Sequence, residues 1–452
     1  MKNKISRRNL FSTSLKSALA MGSLPLTSLA TGLPVTFLMS LGRPAFAQES
    51  LTNPQYLILS HIAGADPINT NAPGTYSEDR NDDLDLVSHP NAFQNPAEFT
   101  LGSQTVKGAP PWAELPSGMR QRFGFWHHAT HTVSHNDFAT VRKVNSNVRG
   151  IGNQGTVELA EFFAEQIGPS LGSLVNEPFS VGGSNINAFG GVIPLLNPLD
   201  IQELFAQSAG NITAMVGLRD KFIDNAYRTV KSSGTPAQMR FLERYAASRV
   251  QAATIGDSLG DLISDIRSND AIDQMRVSVA LMRLNITPVV TMGLPFGGDN
   301  HSDPDLARET DETESAIPAL TELWNKLSEA PDGLINRVTF ASLNTFGRGL
   351  LGENGRNHNE NHHTMLVCGS GIRGGVVGGI EPIYRSDGRV EDFKATSIDS
   401  SSGASVRNNG GDIAFDDTFA SVSKTLAHSL GIPESIVNER IEGGTIIKGA
   451  LT

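Results

Sequence analysis

The chain has 452 residues, 39% of them hydrophobic and 18% charged, enough apolar material for a substantial core, which excludes a disordered or fibrous protein. Six of its 36 Lys and Arg, but none of its 47 Asp and Glu, fall in the first 47 residues, so the remainder carries 30 basic against 47 acidic residues, a balance of −17. A surface that negative repels phosphate backbones and anionic headgroups, which excludes nucleic acid and membrane surfaces as partners and favours a small ligand or a bound cation.

The opening segment Ser6-Arg7-Arg8-Asn9-Leu10-Phe11 resembles the twin-arginine export motif. A modestly apolar stretch from Ala18 to Leu41 follows, then Ala45-Phe46-Ala47 as a small-x-small cleavage site. The stretch is just long enough to span a membrane, but Pro25, Pro34 and several glycines interrupt it, so a cleaved signal peptide over 1–47 is expected. The mature protein, 48–452, is then periplasmic or extracellular, with no stable membrane insertion after cleavage. Twin-arginine substrates generally fold before export, often around a metal or cofactor. The lone cysteine, Cys368, excludes an intramolecular disulfide and reads as a small buried hydrophobe within the apolar run from Thr364.

Along the mature chain, Gln55 to Ile62 predicts a buried first strand, and residues 69–118, rich in Asn, Pro, Asp and Gly, predict a long irregular excursion. Phe123-Gly124-Phe125-Trp126 predicts a second strand running into a histidine-rich loop, with helical spacing from Thr156 to Ile167. From about 200 to 284 the pattern is helical, with Leu218, Phe222, Tyr227, Met239, Phe241, Leu242 and Tyr245 as candidate core positions. Strand 286–292, helix 310–327, strand 337–343, a Gly-rich segment 369–379, a polar loop 397–411 and a last helix 419–430 complete the order. Helix followed by strand, repeated, predicts one α/β domain whose mainly parallel sheet is sandwiched by helices, with 200–284 as a helical insertion.

In parallel α/β sheets ligands bind beyond the carboxyl ends of the strands, so the polar groups there carry the functional reading. Asp66 follows the first strand, and His127, His128, Thr130, His131, Thr132, Ser134 and His135 follow the second. Asp299-Asn300-His301 follows the strand ending near Met292, and Arg356-Asn357-His358 with His362 and His363 follows the strand ending near Leu343. Imidazole and carboxylate are the usual ligands of zinc-like divalent cations, and such loops can bring them together from distant parts of the chain. The same polar runs are also what a solvated loop contains, and spacing alone leaves both readings open. His428, in a helical pattern, is expected to pack or cap, and Arg373 with its glycines to form a turn.

Two blocks give a more specific signal. Thr287-Pro288-Val289-Val290 leads into Gly298-Asp299-Asn300-His301; Phe346-Gly347-Arg348 is followed by Asn357-His358 and then Gly371-Ile372-Arg373-Gly374-Gly375. With Ala63-Gly64-Ala65-Asp66, Ser134-His135-Asn136-Asp137-Phe138 and the segment Thr425 to Ile432, they resemble the secreted bacterial family known as domain of unknown function 1501, itself similar to the alkaline phosphatase and sulfatase superfamily. The resemblance implies an alkaline phosphatase-like fold and one or two divalent metal ions. It implies Asp66, Asp299, His301, Asn357 and His358 as ligands, with Ser134 as nucleophile or ligand and Thr130 and Thr132 close by. Arg348 or Arg356 would clamp an anionic substrate.

The implied activity is metal-dependent hydrolysis of phosphate or sulfate esters, with a small anionic ester as partner. Asn357, where the family has Asp, removes a charge from the second cation position. That substitution favours the alternative, a non-catalytic exported protein that keeps the fold to bind or assemble a surface polymer.

Overall fold

The computed structural model describes residues 54–60, 66, 68, 70–76, 96–153, 155–171, 176–182, 185–193, 195–207, 262–299, 301, 303, 306–330, 333–350 and 356–452. The expected signal peptide, and the core positions proposed between 218 and 245, lie outside them. The chain divides into two compact units, one formed by residues 47–195 and 269–452, the other by the remainder. The described part of the smaller unit includes the helix Pro198–Gln207, where Gln202 Nε2 donates to the carbonyl of Ser264 at 3.2 Å.

The larger unit is built on an eight-stranded sheet. Its strands are β1 (Gln55–Ser60), β2 (Phe123–His128), β3 (Phe179–Val181), β4 (Leu195–Leu196), β5 (Val289–Gly293), β6 (Val338–Ser342), β7 (His363–Cys368) and β8 (Gly375–Val377), in the spatial order β8-β2-β7-β6-β1-β5-β3-β4. Central strands read as continuous apolar runs because both faces are covered: all six residues of β1, β2 and β7 are buried. Strands β1, β2, β3, β5, β6 and β8 point the same way, and β7 runs against both its neighbours. The mainly parallel sheet is therefore mixed. A parallel return from β6 would need a crossover, usually helical, and the described residues of 343–362 form no helix, so β7 comes back antiparallel.

Helices α1 (Leu159–Leu171), α2 (Ala271–Arg283), α3 (Ala307–Glu329), α4 (Thr418–Ser429) and α5 (Glu434–Arg440) cover the sheet. On one face α1 and α4 pack over Tyr56, Ile58, Trp126, Ala341 and Met365, with Tyr56 meeting Phe163 edge-on at 4.8 Å. Burying Phe162, Phe163 and Ile167 contributes about 1.5–3 kcal/mol each, which outweighs the ~3 kcal/mol cost of Pro169 inside α1. On the other face α2 receives Gln55, whose amide donates to the carbonyl of Met282 at 2.9 Å, and Trp112 packs against Phe123 and Phe125.

The stretch expected to be irregular before residue 118 contains a hairpin, Ala97–Leu101 with Gln104–Gly108. Its alternation is short and half-exposed, which is why the sequence reads as loop. Strand β2 extends two residues further than expected, so His127 and His128 lie in the sheet and not in the loop after it. Cys368 is a buried free thiol in β7. No helix among the described residues is long and apolar enough to cross a membrane.

Candidate metal centre

Three segments converge at the carboxyl-end edge of the sheet: the loop after β2, the loop after β5, and the link from β6 to β7. In the first, Ser134 opens a 3-10 turn, its Oγ accepting the amide of Asn136 at 3.2 Å, and the turn presents His135. In the third, Gly347–Arg348 pairs antiparallel with His358–Asn359, which sets Arg348 directly opposite His358. His358 stacks on Phe346 with ring centroids 3.9 Å apart, and His135 meets both rings edge-on at 4.9 Å. His301 comes from the second segment, its ring 4.5 Å from that of His358.

One ligand-capable nitrogen from each of His135, His301 and His358 lies within 4.8 Å of the other two. Hydrogen bonding fixes how one of them presents itself. Nδ1 of His358 faces the carbonyl oxygen of Val133, which can only accept, so the Nδ1 proton is donated there and Nε2 is left as a bare lone pair. That lone pair accepts the Nε2 proton of His301, 2.8 Å away, and a cation held by both nitrogens would take that proton's place. A backbone carbonyl that fixes the tautomer and orients the other nitrogen is the supporting contact that metal-binding imidazoles characteristically have.

Asp299 borders the group. Its Oδ2 is 3.6 Å from Nε2 of His135 and its Oδ1 3.8 Å from Nε2 of His301, while Oδ1 also accepts from Nη2 of Arg348. Arg348 has no exposed side-chain surface, whereas Asp299 is 41% exposed, so the carboxylate bridges a buried guanidinium to an open imidazole cluster. Partial burial, followed by the Arg348 charge, holds His301 below the usual imidazole range. His358 is held down by burial first, then by Arg348 and the two other rings, against the upward pull of its bond to Val133. Both effects favour neutral, ligating imidazoles.

Of the expected site residues, Asp299, His301, His358 and Arg348 are thus assembled, and the rest are placed differently. Asp66 is not part of the cluster. Its Oδ1 accepts the amide of Ile68 at 3.0 Å and its Oδ2 the amide of Thr364 at 2.7 Å, and it fastens its own loop to β7. Burial pushes its carboxyl up to about 7 against those two amides. Arg356 pairs with Glu309, which is fully buried, so it faces the interior, whereas Arg348, equally without exposed side-chain surface, faces the exposed Asp299. Glu309 also accepts from the amides of Thr70 at 2.7 Å and Asn71 at 3.2 Å, which ties the β1 loop, the start of α3 and the β6–β7 link together. Asn357 is exposed, and its carbonyl accepts the amide of Gly349 at 2.8 Å. Ser134 is half-buried and caps its turn.

His135, named among the histidines after the second strand but given no ligand role there, stands beside Ser134 in a motif already singled out. The signal was there in the pairing of a hydroxyl and an imidazole, and only the fold shows which of them turns inward. The four histidines around β2 and β7 form two buried pairs on opposite faces of the sheet. Nε2 of His127 donates to the carbonyl of Pro73 at 2.8 Å, so its Nδ1 accepts from Nε2 of His362, also at 2.8 Å. On the other face His128 lies parallel to Phe419, 4.9 Å away, with His363 beside it. His428 caps its helix end, Nδ1 meeting the carbonyl of Ile432 at 3.2 Å.

No protein-family model matches the chain, and no curated protein matches it.

Proposed function

We propose that the protein is an exported metal-dependent hydrolase of phosphate or sulfate esters, with one divalent cation held by His135, His301 and His358 and bordered by Asp299. The observation that carries the reading is the convergence of three imidazole nitrogens within 4.8 Å, one of them with its lone pair fixed by the carbonyl of Val133. Three histidines with an open position form a donor set suited to zinc-like ions. Such an ion would supply Lewis acidity toward an anionic ester. The chain's own groups do the rest: Val133 orients His358, Phe346 backs the rings, and Arg348 supplies a positive charge beside the cluster that suits a tetrahedral oxyanion. The motif resemblance to domain of unknown function 1501, with its alkaline phosphatase-like fold and twin-arginine export, belongs to the same proposal. A single cation is the version favoured, because both Asp66 carboxylate oxygens accept backbone amides away from the cluster and Asn357 offers no carboxylate.

A specific observation favours the second reading, a non-catalytic binding or assembly protein for a surface polymer. The Ser134 hydroxyl, the candidate nucleophile, is a turn cap. Elemental analysis of the purified protein together with hydrolysis of nitrophenyl phosphate and nitrophenyl sulfate separates the two. Stoichiometric metal and turnover, both lost in His301→Ala/His358→Ala, support the hydrolase. Metal without turnover supports the binding protein, and a metal-free, inert wild type removes the metal centre altogether.

A further inference from the structure

We infer that Arg348 and a bound cation compete for the Asp299 carboxylate, so that loading the cation releases Arg348 to an oxyanion and the two ligands bind with positive coupling. The inference rests on the metal-centre reading above and specifies how that site would be regulated.

Arg348 is held firmly while its charge is shared. The β ladder places it opposite His358, its guanidinium lies 5.2 Å from the centre of the Phe346 ring, and its Nη1 donates to the carbonyl of Arg356 at 3.3 Å. Its Nη2 donates to Oδ1 of Asp299. That same oxygen faces His301, and the other oxygen of the carboxylate faces His135. Asp299 therefore stands between the guanidinium and the imidazoles, and negative charge given to a cation in the imidazole cluster is charge withdrawn from Arg348. A buried guanidinium that loses part of its counter-charge is costly to keep. An incoming phosphate or sulfate group restores it, because its oxygens match the planar fork of the guanidinium. In the reverse direction, an anion that occupies Arg348 frees Asp299 for the cation. Reciprocity requires the two effects to be equal.

Calorimetric titration of the purified protein with Co²⁺, with and without inorganic phosphate or sulfate, tests this. In the wild type, saturating Co²⁺ is expected to tighten oxyanion binding about tenfold, and saturating oxyanion to tighten Co²⁺ binding by the same factor, within the usual range of such couplings. Arg348→Gln is expected to bring the coupling close to one, which separates the mechanism from a direct contact between anion and metal that would survive the substitution. Asp299→Asn, an isosteric change that removes the charge and keeps an acceptor oxygen for Arg348, is expected to give metal-independent oxyanion binding near the wild-type metal-loaded affinity. Co²⁺ binding without coupling, coupling that persists in Arg348→Gln, or Asp299→Asn that binds oxyanion no better than metal-free wild type overturns the inference and leaves the metal centre standing. A wild type that binds no Co²⁺ overturns both.

Discussion

Two guanidiniums eight residues apart, each without exposed side-chain surface, do different work because of what faces them. Arg348 meets a carboxylate at the mouth of the site; Arg356 meets one in the interior. Burial raises the Glu309 carboxyl, and Arg356 is the first of the groups that pull it back down, so the pair keeps a charge in a place where neither member would hold one alone. Arg356→Ala is expected to destabilise the protein by about 3–5 kcal/mol, read from urea denaturation, since it strands the buried carboxylate. Adding Glu309→Gln to that variant should recover much of the loss, because the stranded charge goes with it. A double variant no more stable than Arg356→Ala would show that the backbone contacts of Arg356, not its charge, hold the link. In sequence the two arginines are interchangeable: each is a basic residue in a polar loop after the same strand. Burial alone tells them apart, and burial is a property of the packed chain.

At the scale of elements, the short ladder between β6 and β7 carries much of the site, since it holds Arg348 and His358 on neighbouring strands. It exists because Gly347 lets the backbone lie against β7: a β-carbon there would overlap the carbonyl oxygen of His362. Gly347→Ala is expected to shift the ladder, lowering Co²⁺ affinity at least tenfold while the far-ultraviolet circular dichroism stays close to wild type. Retained affinity would show that the ladder is not what positions His358. The β2–β7 pair makes a second prediction. His127 is lowered to about 4 and His128 to about 3, and His362 and His363 lie well below the free imidazole value, all through burial. The unfolded chain then binds more protons than the folded one below about 6.5, down to about 4 for His127 and about 3 for His128, so the stability these residues allow is complete above 6.5 and falls as the pH drops through that window. Asp66, raised to about 7, works the other way: its contribution is complete below the unfolded carboxyl value and is lost as the pH rises through 7. The four histidines therefore steepen the fall in denaturation midpoint as the pH drops below about 6.5, and His128→Phe/His363→Leu should flatten it relative to the wild type. An unchanged slope in that variant would place the acid sensitivity elsewhere.

For the whole molecule, the export reading makes a separate prediction. Arg7→Lys/Arg8→Lys is expected to abolish the mature form beginning at Gln48, detected by amino-terminal sequencing of cell fractions, and to leave the full-length chain in the cytoplasm; a processed product from the variant would remove the twin-arginine assignment. Much of the architecture was open to reading in one dimension. Continuous apolar runs marked β1, β5 and β6, and helical periodicity marked α3 and α4, because a strand covered on both faces and a helix covered on one leave different spacings. The polar residues that follow those strands marked the edge where Asp299, His301 and His358 meet. What the sequence could not determine was direction and depth. The return of β7 depends on the absence of a crossover helix, and that return brings His358 to His301 and buries His362 and His363 in place of leaving them in a loop. Whether Asp66, Arg356 or His135 faces the cluster depends on which side chain the packed backbone turns inward and which it satisfies with its own amides. Those choices are made by contacts between segments up to about 300 residues apart, as between Asp66 and Thr364, and no local pattern records them.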